Sequence, residues 1–351
     1  MKFAHLSHVW RKPGMSAAER WAQLWRELAL CDELGYDYGF TIEHHCTPHE
    51  ALVSSPPIYI AAAAARTRNL RLGAMGWVAP LYDPLRVVEE VVQLDNVTEG
   101  RLEVGLVAGF GPDQFAPFKV DFSERRPRTI ECYELLKTAC ANPEGFNFKG
   151  PYHEYQDIPL QMGPYQKPHP PVWIETQDPD TLAYLAAEGV NTGYVLFVPR
   201  EDVAPAYREY LNQWQVAGHP HKPNINYWVL VYVDETDQKA WEIAGPNWVH
   251  SFTHVQPTTR LIQARLRRGE YGSAKMLEHF TDVPYLREHN IGLIGSPETV
   301  AEKIKLYAEE GCFNTVLGEF NFGSLTEEQV MRSIRLFGEE VIPRLRDYEP
   351  Y

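Results

Sequence analysis

The fold that this sequence predicts is one (β/α)8 barrel, an α/β TIM-barrel domain running through all 351 residues. Three observations predict it. Short β-rich runs alternate with longer stretches of helical periodicity, an order that pairs strands in parallel through right-handed crossovers. Eight such strand–helix units follow one another, the number that closes a barrel. The first strand is followed by "HLSHVWRKPG" rather than a glycine-rich turn, so an open doubly wound sheet built around a dinucleotide lacks its main signature.

The units read in order as follows. "KFAHLS" is the first strand. Ser16 precedes a helical stretch through Leu34, which stops at Gly35, a residue suited to a left-handed helix end. "YDYGFTI" is the second strand, and prolines open the helix "PPIYIAAAAARTR", where a missing N–H costs nothing. "LRLGAMGWV" is the third strand. "DPLRVVEEVVQLDNVTEG" carries apolar residues at helical spacing and closes on Gly100. "RLEVGLV" is the fourth strand. "PVWIET" is the fifth, before a helix from Pro179 to Glu188. "NTGYVLF" is the sixth, before a helix around Pro205 to Val216. "NINYWVLVYV" is the seventh, with a helix after it, and "NTVLGEF" is the eighth, before a helix from Leu325 to Leu345. Residues 249–294, after the seventh strand, hold more chain than a crossover needs and read as an inserted lid or binding loop. No linker or shift in composition divides the chain.

Composition narrows the function classes. Apolar residues make up 44% of the chain, enough for a sizeable core. A net charge of −14 repels phosphate backbones, and no basic stripe with interleaved aromatics relieves it, so nucleic acid is not an expected partner. The cluster "ARLRRGE" reads as a solvated helix face. Five scattered cysteines without a CxxC pair point to a reducing compartment. The start lacks the long apolar core of a signal peptide, and the longest apolar run, near Ile58 to Ala65, is too short to span a bilayer. A cytoplasmic protein without a membrane partner is expected.

The second strand ends in "TIEHHCTPHE", at the rim where barrel enzymes place their chemistry. Adjacent strand residues face opposite ways, so His44 and His45 are not expected to share a metal, and Pro48 interrupts a helical His45/His49 pair; no metal site is expected. One functional histidine, able to donate a hydrogen bond or move a proton, is the preferred reading; a structural pair is the other. At the third strand end Gly76 lacks a Cβ, which would let a flat ligand approach the backbone. At the fourth, "VAGFGPDQF" carries Gly109 and Gly111 in a weak phosphate-loop pattern. At the fifth, "ETQDPDT" opens a helix whose free N–H groups suit an anion, although Asp178 or Asp180 would also serve as a plain helix cap. Aromatic residues gather near strand ends: Trp10, Trp77, Phe110, Phe197, Trp228, Phe320 and Phe322. Together they suggest a small apolar organic substrate.

These motifs resemble, nearly end to end, the bacterial-luciferase-like flavin-dependent monooxygenases. The resemblance is carried by "MKF", "EHH", "LGAMGWVAP", "DPLRVVEEVVQLDNVTEGRLEVGL", "IGSPETVAEKI" and "SIRLFGEEVIPRL", in order and at matching spacing. It implies a (β/α)8 barrel that uses reduced FMN and O2, with the flavin supplied by a separate NAD(P)H-dependent reductase, in a homodimer. An F420-dependent oxidoreductase of the same fold and a non-catalytic flavin binder are the alternatives. The resemblance implies that His44 is the catalytic histidine, and that Met75 and Gly76 support the flavin ring at a cis peptide between non-prolines. It implies that Arg126 contacts the flavin phosphate, with Gln177, Asp178 and Thr181 on the phosphate turn; Gly109 and Phe110, at the fourth strand end, are expected beside the cofactor. The stretch from Val255 to Asn290 falls on the family's mobile active-site loop. Ala108 stands where the luciferase has a phosphate-binding arginine, Val107 where it has a reactive cysteine, and Asp178 where it has a serine. A weaker or differently arranged phosphate grip follows from these departures, and light emission does not follow from the resemblance.

Overall fold

In the computed structural model, which describes residues 1–47, 50–267 and 269–351, the eight expected strands make a nearly closed parallel barrel. β1 (Lys2–Ser7) pairs with β2 (Tyr38–Thr41), β2 with β3 (Arg71–Val78), and β3 with β4 (Leu102–Val107). β5 (Phe146–Lys149) and β6 (Glu154–Ile158) form a separate antiparallel hairpin. β4 then pairs with β7 (Val172–Ile174), and β8 (Thr192–Val195) with β9 (Ile225–Val233). The long β9 also pairs at its far end with the short β10 (Leu293–Gly295) and along its middle with β11 (Thr315–Glu319), which returns to β1. β7 and β8 meet through a bridge from Trp173 to Asn191, where Asn191 N–H donates to Val172 O and its carbonyl accepts from Ile174 N–H, both at 2.9 Å.

The helices begin where local chemistry allows. α1 (Ala17–Glu33) opens on a reciprocal cap: Ser16 Oγ accepts from Glu19 N–H, and the Glu19 carboxylate accepts from Ser16 N–H. α2 (Pro56–Ala64) and α3 (Pro84–Val97) start on prolines, the latter capped by Asp83. α4 (Pro112–Phe115) is one turn, and α5 (Arg125–Ala141) follows it. α6 (Pro179–Glu188) stops at Gly189, whose φ of 72° suits a residue without Cβ. α7 (Arg200–Ala217) and α8 (Asp237–His250) flank β9. The insertion after the seventh barrel strand folds into a π-helical turn at Ser251–Val255, then α9 (Thr258–Arg267), α10 (Tyr271–Leu277) and α11 (Val283–Glu288). α12 (Pro297–Gly311) is capped by Ser296 and α13 (Glu327–Leu336) by Thr326. A π-turn at Phe337–Val341 then leads into α14 (Ile342–Leu345).

Some of this was not legible. α5 and the β5–β6 hairpin have no counterpart in the sequence reading: the apolar positions of "RRPRTIECYELLKTACA" mark no clear face, and the hairpin has little buried surface. β10 adds a strand outside the eight units. The last helix is broken by the π-turn at Gly338, where a Cβ would meet the Leu34 side chain at 2.9 Å. α7 starts at Arg200, ahead of the expected start near Pro205, and holds that proline inside it.

One end of the barrel is closed. Glu103, buried near the start of β4, pairs with Arg71 at 2.5 Å and accepts from Trp173 Nε1 at 2.6 Å. Trp173 in turn meets Phe40 and Tyr38 edge-to-face. The other end, where the strands finish, is the one left for a ligand. No helix among the described residues is long and apolar enough to cross a membrane.

Candidate active site

The strand ends converge on a cavity of about 590 Å³. Its floor and walls include His8, Glu43, His44, Met75, Gly76 and Trp228. β2 finishes at Thr41, so the "EHH" segment has already left the sheet, and strand alternation no longer decides which histidine faces inward. Instead, Glu43 N–H donates to Gly76 O at 3.2 Å and His44 N–H to Val53 O at 2.9 Å. These anchors turn both Glu43 and His44 to the cavity. Glu43 is buried; its carboxylate accepts from Val78 N–H at 2.7 Å, from the Tyr82 hydroxyl and from the His45 imidazole. His45 thus pins Glu43 and lies edge-on to Phe118. Pro48 and His49, weighed above in the metal argument, lie outside the described residues. No group of three or more His, Cys, Asp or Glu side chains suited to a metal gathers among the described residues.

His44 Nδ1 accepts from the Gln114 amide at 3.3 Å, with a Glu50 carboxylate oxygen 4.0 Å away. Burial, followed by the nearby His8, Arg260 and His45, pushes its pKa down to about 3. The ring is therefore neutral at physiological pH, and with Nδ1 accepting, its proton sits on Nε2.

His8, just past β1, is a cavity residue that the sequence reading passed over. Its Nδ1–H donates to Glu319 Oε2 at 2.7 Å and its backbone N–H to Glu319 Oε1 at 3.2 Å. The ring stacks on Trp10 at 4.1 Å and lies 5.5 Å from the His44 ring. A histidine at the end of "KFAHLSH" was the available signal; its partner lies 311 residues on, beyond any local pattern.

The other expected residues fall as follows. Met75, Gly76, Gly109, Phe110, Arg126, Gln177, Asp178 and Thr181 all line the same cavity. The peptide bond between Met75 and Gly76 is trans, and the one cis bond among the described residues is Lys167–Pro168. The expected cis dipeptide is thus corrected: the departure from regular pairing here is a shift of register between β3 and β4, from Ala74 to Trp77. Gly76 also differs from the reading of its bare backbone. A Cβ there would meet Val107 Cγ1 at 2.2 Å, so the missing side chain makes room for Val107. Gly109 takes φ 82°, with the Phe115 ring where a Cβ would stand.

At the fifth strand end, Asp178 caps α6 and accepts from Thr181 N–H at 3.0 Å and Thr181 Oγ1 at 2.6 Å. Thr181 therefore gives both donors to the turn itself. Across from it, Arg126 makes no side-chain hydrogen bond or ion pair among the described residues, although it sits in the field of Asp178. The carboxylates beside it in sequence are engaged elsewhere: Glu124 pairs with Arg128 at 2.7 Å, and Glu131 holds the backbone N–H groups of Tyr152 and His153. Of the aromatics, Phe110, Phe197 and Trp228 line the cavity, Trp10 backs His8, and Trp77, Phe320 and Phe322 belong to the core.

The insertion reaches the cavity through Gln256, Arg265 and Glu270. Arg260 of α9 ties it to the barrel, bridging Glu50 and, at 3.0 Å, Asp113. Such half-exposed pairs contribute about 1 kcal/mol. Arg260→Ala is expected to raise tryptic cleavage at Arg267 and Lys275 by about fivefold, followed by mass spectrometry over a digestion time course. An unchanged cleavage rate would show that this contact does not hold the insertion down.

A barrel with its ligand site at the strand ends, an imidazole–carboxylate cluster on the floor and an inserted cover at the mouth defines an α/β-barrel enzyme class. The chain belongs to the luciferase-like monooxygenase family, whose model matches residues 1–312. It is 26% identical to the alkanal monooxygenase alpha chain of Photobacterium leiognathi over 99% of each chain. Monooxygenase RslO1 from Streptomyces bottropensis has the same fold, with a TM-score of 0.83 and 25% identity over 98% of this chain and 99% of that one. The oxygenating constituent of 3,6-diketocamphane monooxygenase from Pseudomonas putida, solved in complex with FMN, superposes with a TM-score of 0.79 at 20% identity over 98% of both chains. An uncharacterized protein of Sinorhizobium fredii, y4wF, is 33% identical over 193 residues; there the match spans 55% of the relative's length.

Proposed function

We propose that the whole chain serves as one flavin-dependent monooxygenase unit, which uses reduced FMN from a separate NAD(P)H-dependent reductase, and O2, to oxygenate a small apolar organic substrate. The observation that carries this reading is one cavity that joins a neutral imidazole, His44, to a cation, Arg126, that makes no side-chain hydrogen bond or ion pair among the described residues. Bound FMN would supply the oxygen-activating redox chemistry. Arg126 and the Gln177 amide would meet its phosphate, with Arg125 lining the same cavity, while Asp178 holds the donors of Thr181. Met75 and Val107 present an apolar wall to the ring, and Phe110, Phe197 and Trp228 keep water from the substrate. His44 holds a proton at Nε2, ready to donate a hydrogen bond to oxygen. A homodimer belongs to the same reading, and sizing chromatography would test it.

Stopped-flow absorbance tests the central reading. Anaerobic protein with reduced FMN, mixed with oxygenated buffer, should give a transient spectrum that matches neither reduced nor oxidised FMN. Reoxidation identical to that of free FMN overturns the proposal. Reduction of added F420 by an alcohol, without oxygen uptake, would point instead to a deazaflavin oxidoreductase.

Glu175, at the head of the "ETQDPDT" turn, adds a pH dependence. Burial pushes its carboxyl up to about 7, with Asn226 pulling weakly the other way. Below that pH the group is neutral; above it, a negative charge appears in the cavity that takes the phosphate. FMN affinity is therefore expected to fall as pH rises through about 7, and Glu175→Gln should abolish the fall. Fluorescence titration of FMN at a series of pH values measures both.

A further inference from the structure

We propose that His8 is a second substrate-contacting group, held by Glu319 as a hydrogen-bond acceptor opposite the donor His44, and that the pair selects substrates carrying a hydroxyl on an apolar or aromatic skeleton. This deepens the monooxygenase reading and rests on it for the site's purpose.

The argument starts from the carboxylate. Glu319 ends β11 and is fully buried. It accepts from His8 Nδ1, from His8 N–H and from Trp228 Nε1 at 3.2 Å, and among the described residues its one salt-bridge partner is His8. In the neutral ring, a carboxylate against Nδ1 fixes the proton there and leaves Nε2 as a lone pair. Stacking on Trp10 at an interplanar angle of 11° holds the ring still. Because Nδ1 is committed, what His8 can offer the cavity is an acceptor.

His44 has the opposite arrangement. Gln114 donates to its Nδ1, so what it can offer is an Nε2–H donor. Two imidazoles whose rings are 5.5 Å apart thus present one acceptor and one donor to the same space. A hydroxyl satisfies both, donating to His8 and accepting from His44. A ketone, aldehyde or ether oxygen can only accept, and it leaves the His8 lone pair desolvated without a partner. The neighbouring walls, Phe197 and Trp228 edge-to-face at 5.2 Å, suit a flat apolar skeleton.

The test compares 2-naphthol with 2-methoxynaphthalene, which keeps the ring and the oxygen but cannot donate. Binding to the full-length protein is measured by isothermal titration calorimetry, with and without oxidised FMN. No turnover is involved, so a negative result here is separate from a negative result in the oxygen-mixing experiment. Wild type should prefer 2-naphthol by about tenfold. His8→Phe should bring the two ligands to within about twofold of each other, and Glu319→Gln should do the same by releasing the His8 proton from Nδ1. Equal binding of the two ligands by wild type, or no measurable binding of 2-naphthol, overturns the proposal without recourse to any variant. A preference that survives in folded His8→Phe or Glu319→Gln protein, checked by its thermal melt, overturns it as well.

Discussion

His44→Ala is expected to lower oxygenation by about 10²–10⁴-fold, the contribution typical of one positioned proton donor. FMN binding should persist, because in the proposed reading Arg126 holds the phosphate and Met75 and Val107 face the ring, all of which the substitution leaves in place. Reductant and O2 should still be consumed, with hydrogen peroxide released in place of oxygenated product; the ratio of peroxide to product is the measurement. His45→Ala is the control. It removes the partner of Glu43 rather than a cavity donor, so it should lower the unfolding temperature while leaving that ratio near wild type. Normal coupling in His44→Ala would reduce the imidazole to a packing element.

The acid behaviour of the same residue can be signed. The folded state holds the pKa near 3, against an ordinary value of 6.5, so the unfolded chain takes the proton first. The stability that His44 contributes is complete above about 6.5 and is lost as pH falls from there towards about 3. Wild type should therefore lose stability over that interval more steeply than His44→Ala, as read by chemical denaturation at each pH. Between about pH 7 and 9 the imidazole stays neutral, so no activity step in that range arises from it.

Arg126→Ala is expected to weaken FMN binding by about tenfold to hundredfold, the value of one charge-assisted hydrogen bond to a phosphate. The size follows from the geometry of the turn. Thr181 donates to Asp178, and Ala108 carries no cation, so few donors stand in for Arg126. Riboflavin, which lacks the phosphate, should bind wild type and variant alike. Arg128→Ala should leave FMN affinity unchanged, since its guanidinium is paired with Glu124. Equal loss of FMN and riboflavin binding would show that Arg126 supports the fold of the site rather than the anion.

By itself the sequence determined the local grammar. Strand runs such as "KFAHLS" and "NINYWVLVYV", the Ser16 cap, the Gly35 stop and the surplus chain of residues 249–294 are written in neighbours a few positions apart, where propensity, period and capping act. Their alternation fixes the barrel, and the barrel places "EHH" at its rim. Tertiary structure decided the rest because the deciding contacts are distant in the chain. His44 faces the cavity through bonds to Val53 and a turn held by Gly76, after the strand has ended. The tautomers of His44 and His8 are set by Gln114, 70 residues away, and Glu319, 311 residues away. The bare face of Gly76 is filled by Val107 on the neighbouring strand; Arg126 makes no ion pair among the described residues, while Arg128 pairs with Glu124. A proton's position and a cation's freedom depend on which groups meet through space, and no period along the chain encodes that meeting.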